Sequence, residues 1–174
     1  MNNYFKSKTL GEKTAWDFKR DTMPELEVVA MNPGFVMGPP ICAEPGASMS
    51  WVKNVMTGGM KAVGSGHLAV VDVREVAQAH LLAIKKPIAK DRRFILAQST
   101  PRYHEYARPI IEKYSKLGWP CTTTYAPISE DETVDIADNT ASKQLGIVYR
   151  DLDTTMLEMA AKMIELGVVE KPAA

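Results

Sequence analysis

A tyrosine and a lysine stand four residues apart near the start of the chain, at Tyr4 and Lys8. On a helix this spacing places both side chains on one face, with their Cβ atoms about 5–6 Å apart. A neighbouring ammonium favours the phenolate and lowers the pKa of a tyrosine from its ordinary value of about 10. Such a pair can protonate the oxygen that forms when a hydride reaches a carbonyl carbon, or run the reverse reaction. The same spacing also arises by coincidence, so the surrounding elements must decide.

Alternating helices and strands predict an α/β protein. The residues from 4 to about 20 are good helix formers, and Pro24 ends that helix. A short apolar strand is predicted over Leu26–Met31, as in a buried parallel sheet, and it leads into Asn32-Pro33-Gly34. Ligands of open α/β sheets lie beyond the carboxyl ends of the strands, and this turn leaves room for a flat ring to approach closely. The pattern therefore favours a site where the turn meets the Tyr–Lys pair, although a simple strand-to-loop turn would read the same.

Further elements follow downstream. Strands are predicted over 67–71 and 93–97, and Asp72 with Glu75 forms a capping box at the start of a helix. That helix carries an apolar stripe with helical spacing, which we expect to face the core: Val73, Val76, Ala77, His80, Leu81 and Ile84. We expect Thr100 to cap a later helix, and Pro109 to kink or split it.

Composition limits the class of protein. The chain has 174 residues, a net charge of zero and 45% hydrophobic residues, which suits a single globular domain and argues against a nucleic-acid partner. No apolar run approaches the roughly 20 residues of a membrane span, and no signal peptide is evident. Cys42 and Cys121 lie far apart, and neither they nor His67, His80 and His104 show metal-ligand spacing. We therefore expect a cytoplasmic protein with no metal and no membrane partner.

Four ordered strings carry a resemblance to a known family. They begin at Ser7 (SKTLGEKTAW), Asn32 (NPGFVMGP), Val71 (VDVREVAQAH) and Ser142 (SKQLG). Together with the Tyr–Lys pair, they resemble the extended short-chain dehydrogenase/reductases, specifically the dihydroflavonol-reductase and cinnamoyl-CoA-reductase-like branch of the NAD-dependent epimerase/dehydratase superfamily. The resemblance extends over nearly all of the 174 residues.

The resemblance implies an NAD(P)-dependent oxidoreductase that interconverts a small carbonyl compound and its alcohol. It implies that Tyr4 is the proton donor, and that Lys8 lowers the pKa of Tyr4 and binds the ribose of the nicotinamide. Pro33, Gly34 and Val36 would lie along the nicotinamide. NADP is the cofactor that the resemblance favours, with NAD as the alternative.

The resemblance also implies a partial domain. Residues 1–37 would be the end of a Rossmann core with the active-site helix, and residues 38–174 mainly a substrate-side lobe with one or two further core strands. The glycine-rich turn that binds pyrophosphate and a catalytic Ser or Thr lie upstream of the Tyr in this family, so the chain would be a C-terminal half without the dinucleotide-binding strands. We expect it to bind NADP(H) weakly alone, with little or no activity, and to expose an apolar sheet edge through which it could self-associate.

Two other functions stay open at this point. One is a truncated, non-catalytic protein that keeps the substrate-side lobe and binds a partner. The other is a sugar-nucleotide epimerase or dehydratase, since these enzymes share the Tyr–Lys pair. The string that starts at Asn32 favours the reductase branch over the epimerases.

Overall fold

A computed structural model of the protein describes residues 3–128 and 134–171. The elements in these ranges are α1 (Asn3–Asp21), β1 (Val29–Pro33), β2 (Phe35–Met37), α2 (Ala47–Thr57), β3 (Val70–Asp72), α3 (Val73–Lys85), a 3₁₀ turn (Pro87–Ala89), β4 (Arg92–Leu96), α4 (Tyr103–Lys116), α5 (Thr140–Leu145) and α6 (Leu152–Glu165). No helix in the described ranges is long and apolar enough to cross a membrane.

The strands form two parallel pairs, which confirms the predicted α/β class. β1 pairs with β4, with Ala30 opposite Arg93, and β2 pairs with β3. β1 begins three positions later than predicted, because the Leu26 amide still closes a turn by donating to the Met23 carbonyl. Among the described residues, the second edge of β1 has no strand beside it. Association through that edge stays a prediction.

Gly34 stands where the chain leaves one strand pair and joins the other. Its amide donates to the Leu96 carbonyl of β4 at 2.9 Å, and the next amide, Phe35, donates to the Ala69 carbonyl before β3 at 2.6 Å. A Cβ atom built on Gly34 would lie 2.5 Å from the Ala69 oxygen. A glycine is therefore required here by the close approach of two backbones.

Two glycine-to-alanine changes should have opposite effects on stability. Gly34→Ala is expected to lower the free energy of unfolding by about 1–3 kcal/mol, as in other overpacked sites. Gly11→Ala, in the middle of α1, meets nothing within 4 Å and should raise it by about 0.5–1 kcal/mol. Urea unfolding of both variants checks this. Equal effects of the two changes would contradict the role given to Gly34.

The apolar interior consists of two clusters. The first lies among α2, α4, α6 and β2, and its largest fully buried members are Met37, Met56, Tyr106, Ile110, Met156, Met159 and Met163. The second lies between the β1–β4 pair and the helices α3 and α5, and it is built on Val71, Phe94, Leu96, Leu145 and Ile147. The two clusters give the two strand pairs separate hydrophobic supports.

The capping box of α3 is present, but its predicted core face is wrong. Asp72 accepts from the Arg74 amide, while Glu75 accepts from the Asp72 amide. Glu75 also accepts from the Arg150 amide, so its side chain points inward, and Ala79 is buried beside it. This rotation leaves much of the predicted stripe exposed, namely Val73, Ala77, His80, Leu81 and Ile84.

The start of α4 also differs from the prediction. The Thr100 hydroxyl accepts from the Ala137 amide, and the helix begins at Tyr103. Glu105 closes the first turn by accepting from the Arg102 amide. Pro109 does not split α4, which runs as one helix with the proline ring buried.

Candidate active site

Tyr4 and Lys8 lie on adjoining turns at the start of α1. The Lys8 Nζ atom is 5.5 Å from the centre of the Tyr4 ring, so the two side chains share one face of the helix. Tyr4 is 61% exposed, and α1 as a whole has no buried residue. The position of the pair therefore depends on how α1 is held against the sheet.

Two sets of polar contacts tie α1 to the β1–β4 pair. Glu12 accepts from the Arg93 guanidinium of β4 at 2.9 and 3.2 Å. Near the end of the helix, the Lys19 ammonium binds Asp91 at 2.7 Å and the Leu26 carbonyl at 2.6 Å. Asp91 and Leu26 precede β4 and β1, so the end of α1 lies at the amino ends of the strands. The helix consequently runs antiparallel to them.

This direction carries the start of α1 toward the carboxyl ends of the strands. At 1.5 Å per residue, Lys8 and Tyr4 lie about 6 and 12 Å beyond Glu12 along the helix. Glu12 binds Arg93, whose register partner is Ala30. From Ala30 to Pro33 is about 10 Å at the rise of a parallel strand. From these ideal rises we expect Tyr4 at about the level of the turn that follows β1.

The other predicted site residues lie in and after this turn. Pro33 is exposed at the end of β1, and Gly34 follows it at the crossing between the strand pairs. Val36 is central in β2, where its side chain packs against the second apolar cluster. Its backbone, rather than its side chain, is therefore what could meet a ligand.

A buried carboxylate network lies below the carboxyl end of β3. Asp72 is 2% exposed, and it accepts from Arg74 at 2.6 Å and from the Thr155 hydroxyl at 2.9 Å. Arg74 also binds Glu158 of α6 at 2.5 Å. These contacts join β3, α3 and α6, so the network holds the carboxyl end of β3 to both helices.

The pKa values of the two buried carboxyls at this place, Asp72 and Glu75, are shifted in opposite directions. Burial works to raise the pKa of Asp72, but the hydrogen bonds and charge of Arg74 outweigh it and hold that pKa below its ordinary value. Burial dominates at Glu75 and raises its pKa, although the amides of Arg150 and Asp72 oppose the shift. Both carboxyls are engaged in hydrogen bonds in the interior.

Sequence reasoning missed the residues that hold α1, above all Glu12 and Arg93. Glu12 continues the four-residue interval of Tyr4 and Lys8, which is a signal that the sequence contains. Arg93 is 81 positions further along, and nothing in the sequence pairs it with Glu12. Within the described residues, no group of three or more His, Cys, Asp or Glu side chains could hold a metal ion.

Comparison with known proteins finds reductases among the proteins similar to this chain. No family model matches the chain. Cinnamoyl-CoA reductase CAD2 of Medicago truncatula is 28% identical over 166 residues, covering 93% of this chain and 48% of that protein. Ketoreductase sphI of Aspergillus fumigatus is 27% identical over 176 residues, covering 97% of this chain and 51% of that protein. The chain spans about half the length of these curated relatives.

A solved structure shows the same fold. The yeast methylglyoxal/isovaleraldehyde reductase Gre2, complexed with NADPH, superposes with a TM-score of 0.73 at 22% identity, over 92% of this chain and 54% of that one. The fold is therefore that of part of a Rossmann-type domain. The predicted resemblance to the extended short-chain dehydrogenase/reductases, in their cinnamoyl-CoA-reductase-like branch, is confirmed.

Proposed function

We propose that this chain carries the substrate side and the proton donor of an NAD(P)H-dependent reductase that converts an aldehyde or ketone to an alcohol. The observation that carries the proposal is the Tyr4–Lys8 face of α1, with the Lys8 ammonium 5.5 Å from the centre of the Tyr4 ring. The direction of α1 along the strands leads us to expect this face near the turn after β1. The relatives are reductases of carbonyl compounds by name, which supports the same chemistry for this chain.

In this proposal Tyr4 donates its hydroxyl proton to the oxygen of the substrate carbonyl. Lys8 stabilises the oxyanion that Tyr4 then becomes, and it binds the ribose next to the nicotinamide. Pro33 is exposed at the carboxyl end of β1, where a flat ring can lie beside it and the Gly34 backbone, and the backbone near Val36 contacts its carboxamide. The bound reduced nicotinamide supplies the hydride.

NADPH is the cofactor we propose, with NADH as the alternative. Gre2 is complexed with NADPH, and it shares the fold. The site residues named here would hold only the nicotinamide end of a dinucleotide. The first turn of α3 is closed to phosphate, because the Asp72 carboxylate already caps it. We therefore expect the 174-residue chain alone to bind NADPH weakly and to turn over slowly.

The division of the chain at residue 37 also belongs to this proposal. Up to Met37 the residues form α1, β1 and β2, which position the pair and the turn. The residues that follow contribute α2, α4 and α6, the helices of the first apolar cluster, together with β3 and β4. The cytoplasmic location stays a prediction.

The test is NADPH oxidation with a panel of aldehydes and ketones, using the longest natural polypeptide that carries this sequence. We expect carbonyl-dependent oxidation of NADPH, faster than that of NADH. Turnover of a sugar nucleotide without net oxidation of the cofactor would favour the epimerase alternative. The absence of both cofactor binding and turnover would favour the non-catalytic interaction protein.

The 174-residue chain provides a separate prediction. Titration with NADPH, followed by its fluorescence, should give a dissociation constant above about 1 μM, because a dinucleotide draws much of its affinity from a helix N-terminus at its pyrophosphate. Submicromolar binding would contradict this expectation and would locate a phosphate site within the chain.

A further inference from the structure

Glu12 stands on the same side of α1 as the pair proposed for catalysis. It follows Tyr4 and Lys8 at intervals of four residues, so its side chain continues their face by one more turn. Its side chain is only 20% exposed, and its carboxylate accepts three hydrogen bonds. They come from the Arg93 Nε and Nη2 atoms, at 2.9 and 3.2 Å, and from the Trp16 indole at 3.3 Å.

None of the 19 residues of α1 is fully buried, so its polar contacts contribute much of its attachment to the sheet. A helix of that length is marginally stable in water without tertiary support. Lys19 binds Asp91 and the Leu26 carbonyl at the far end of α1. With this attachment alone, the first half of the helix could still rotate about its axis and move away from the sheet. The contact from Glu12 to β4 is a second point of attachment, seven residues closer to Tyr4. Two points on one side fix both the rotation of a helix and its distance from the sheet.

The surroundings of Glu12 suit an ionised carboxylate. The hydrogen bond from Arg93 is the main cause that lowers the pKa of Glu12, with smaller contributions from Trp16 and Asn32 and an opposing one from burial. Asn32 precedes the turn after β1, and its Nδ2 atom is buried without a hydrogen bond of ordinary geometry in the described part of the chain. The carboxylate thus faces β4 through Arg93 and the end of β1 through Asn32.

We infer that Glu12 is a positioning residue: its bond to Arg93 sets the rotation and height of α1, and thereby aims Tyr4 and Lys8 at the turn after β1. The chemical role of Tyr4 and Lys8 in this inference rests on the proposed function, whereas the attachment of α1 by Glu12 does not. The attachment of α1 and the aiming of Tyr4 and Lys8 can therefore be tested separately.

The attachment is tested by amide hydrogen exchange of residues 3–11 in the full chain. Glu12→Ala should speed this exchange at least tenfold, although alanine has the higher intrinsic helix propensity. Lys13→Ala is the matched control, because the Lys13–Asp17 ion pair lies wholly within α1; its exchange should stay close to that of the parent. The charge-swapped double variant, Glu12→Arg with Arg93→Glu, should return the rate of hydrogen exchange to within threefold of the parent.

If Glu12→Ala leaves the rate of hydrogen exchange of residues 3–11 unchanged, the inference is overturned, whatever the charge-swapped double variant shows. Exchange that rises equally in Lys13→Ala also overturns it, since any lost ion pair would then suffice. The charge-swapped double variant overturns the inference as well if it folds and its residues 3–11 exchange amide hydrogens as fast as in Glu12→Ala, because the bond to Arg93 is then not what holds the helix.

The aiming of the pair is tested by kinetics at a temperature well below the unfolding midpoint. Glu12→Ala should lower kcat about tenfold or more, because small misplacements of reacting groups are costly, with KM for the carbonyl within threefold. The charge-swapped double variant should recover most of the parental kcat. A Glu12→Ala enzyme with lower thermal stability but parental kcat overturns the positioning role. If the parent reduces no carbonyl, the proposed function fails, while the exchange measurement still decides whether Glu12 holds α1.

Discussion

Replacing Tyr4 with Phe should lower kcat for carbonyl reduction by about 10²–10⁴-fold, the usual contribution of a positioned general acid. Phenylalanine keeps the ring beside Lys8 and removes only the hydroxyl, so the affinity for NADPH should change less than threefold. The measurement is steady-state NADPH oxidation together with a cofactor titration, on the longest natural polypeptide that carries this sequence.

Tyr125→Phe is the matched control for that experiment. Tyr125 packs edge-on against His104, with the ring centres 4.7 Å apart, and lies outside the proposed site. Its loss of a hydroxyl should leave kcat within twofold of the parent. A Tyr4→Phe enzyme that keeps more than half of the parental kcat would show that another group donates the proton.

Replacing Asp72 with Ala should produce the largest loss of stability among the changes considered. The carboxylate is buried, and its removal leaves the Thr155 hydroxyl and the first turn of α3 without their acceptor, and Arg74 with Glu158 alone. Because the Arg74 side chain is 34% exposed, the main cost is that of a lost buried acceptor together with a lost helix cap, about 2–4 kcal/mol in total. Urea unfolding at neutral pH measures the difference.

Asp151→Ala is the control for Asp72→Ala. Asp151 caps α6 by accepting from the Thr154 amide at 3.0 Å, but it is exposed. Loss of an exposed cap costs about 1 kcal/mol. Equal losses in the two variants would mean that the network below β3 contributes no more than an ordinary helix cap.

The stability difference between the parent and Asp72→Ala should also depend on pH. The pKa of Asp72 is lowered in the folded state, so its contribution is present above its unfolded pKa of about 3.9 and is lost as the pH falls through the folded value. The raised pKa of Glu75 acts with the opposite sign, since its contribution falls as the pH rises through its folded value. Acid unfolding curves should therefore converge below about pH 4. Parallel curves down to lower pH would contradict the assignment to Asp72.

Much of the fold could be predicted from local sequence signals. Short apolar runs, Pro24 and the Asp72–Glu75 box each depend on neighbouring residues, so their elements lie close to where they were expected. The inward face of α3 could not be predicted in this way. It depends on the amide of Arg150, 75 positions from Glu75, which draws a carboxyl into the interior and turns apolar side chains outward.

The same limit applies to the candidate site. The Tyr4–Lys8 spacing and the turn at Pro33 are local patterns, and both could be proposed from the sequence. The contact between Glu12 and Arg93 joins a helix to a strand that arrives much later in the chain. Hydrophobic periodicity gives no sign of it, because α1 buries no residue against the sheet.

The crossing at Gly34 has a mechanical consequence. The amides on either side of the Gly34 Cα are bonded to β4 and to the residue before β3, and the space beside Gly34 is filled by the Ala69 carbonyl. A joint of this kind cannot bend without breaking both ties. We therefore expect movement of α2 relative to β1 to be taken up by irregular segments such as residues 38–46, between β2 and α2, rather than by this crossing.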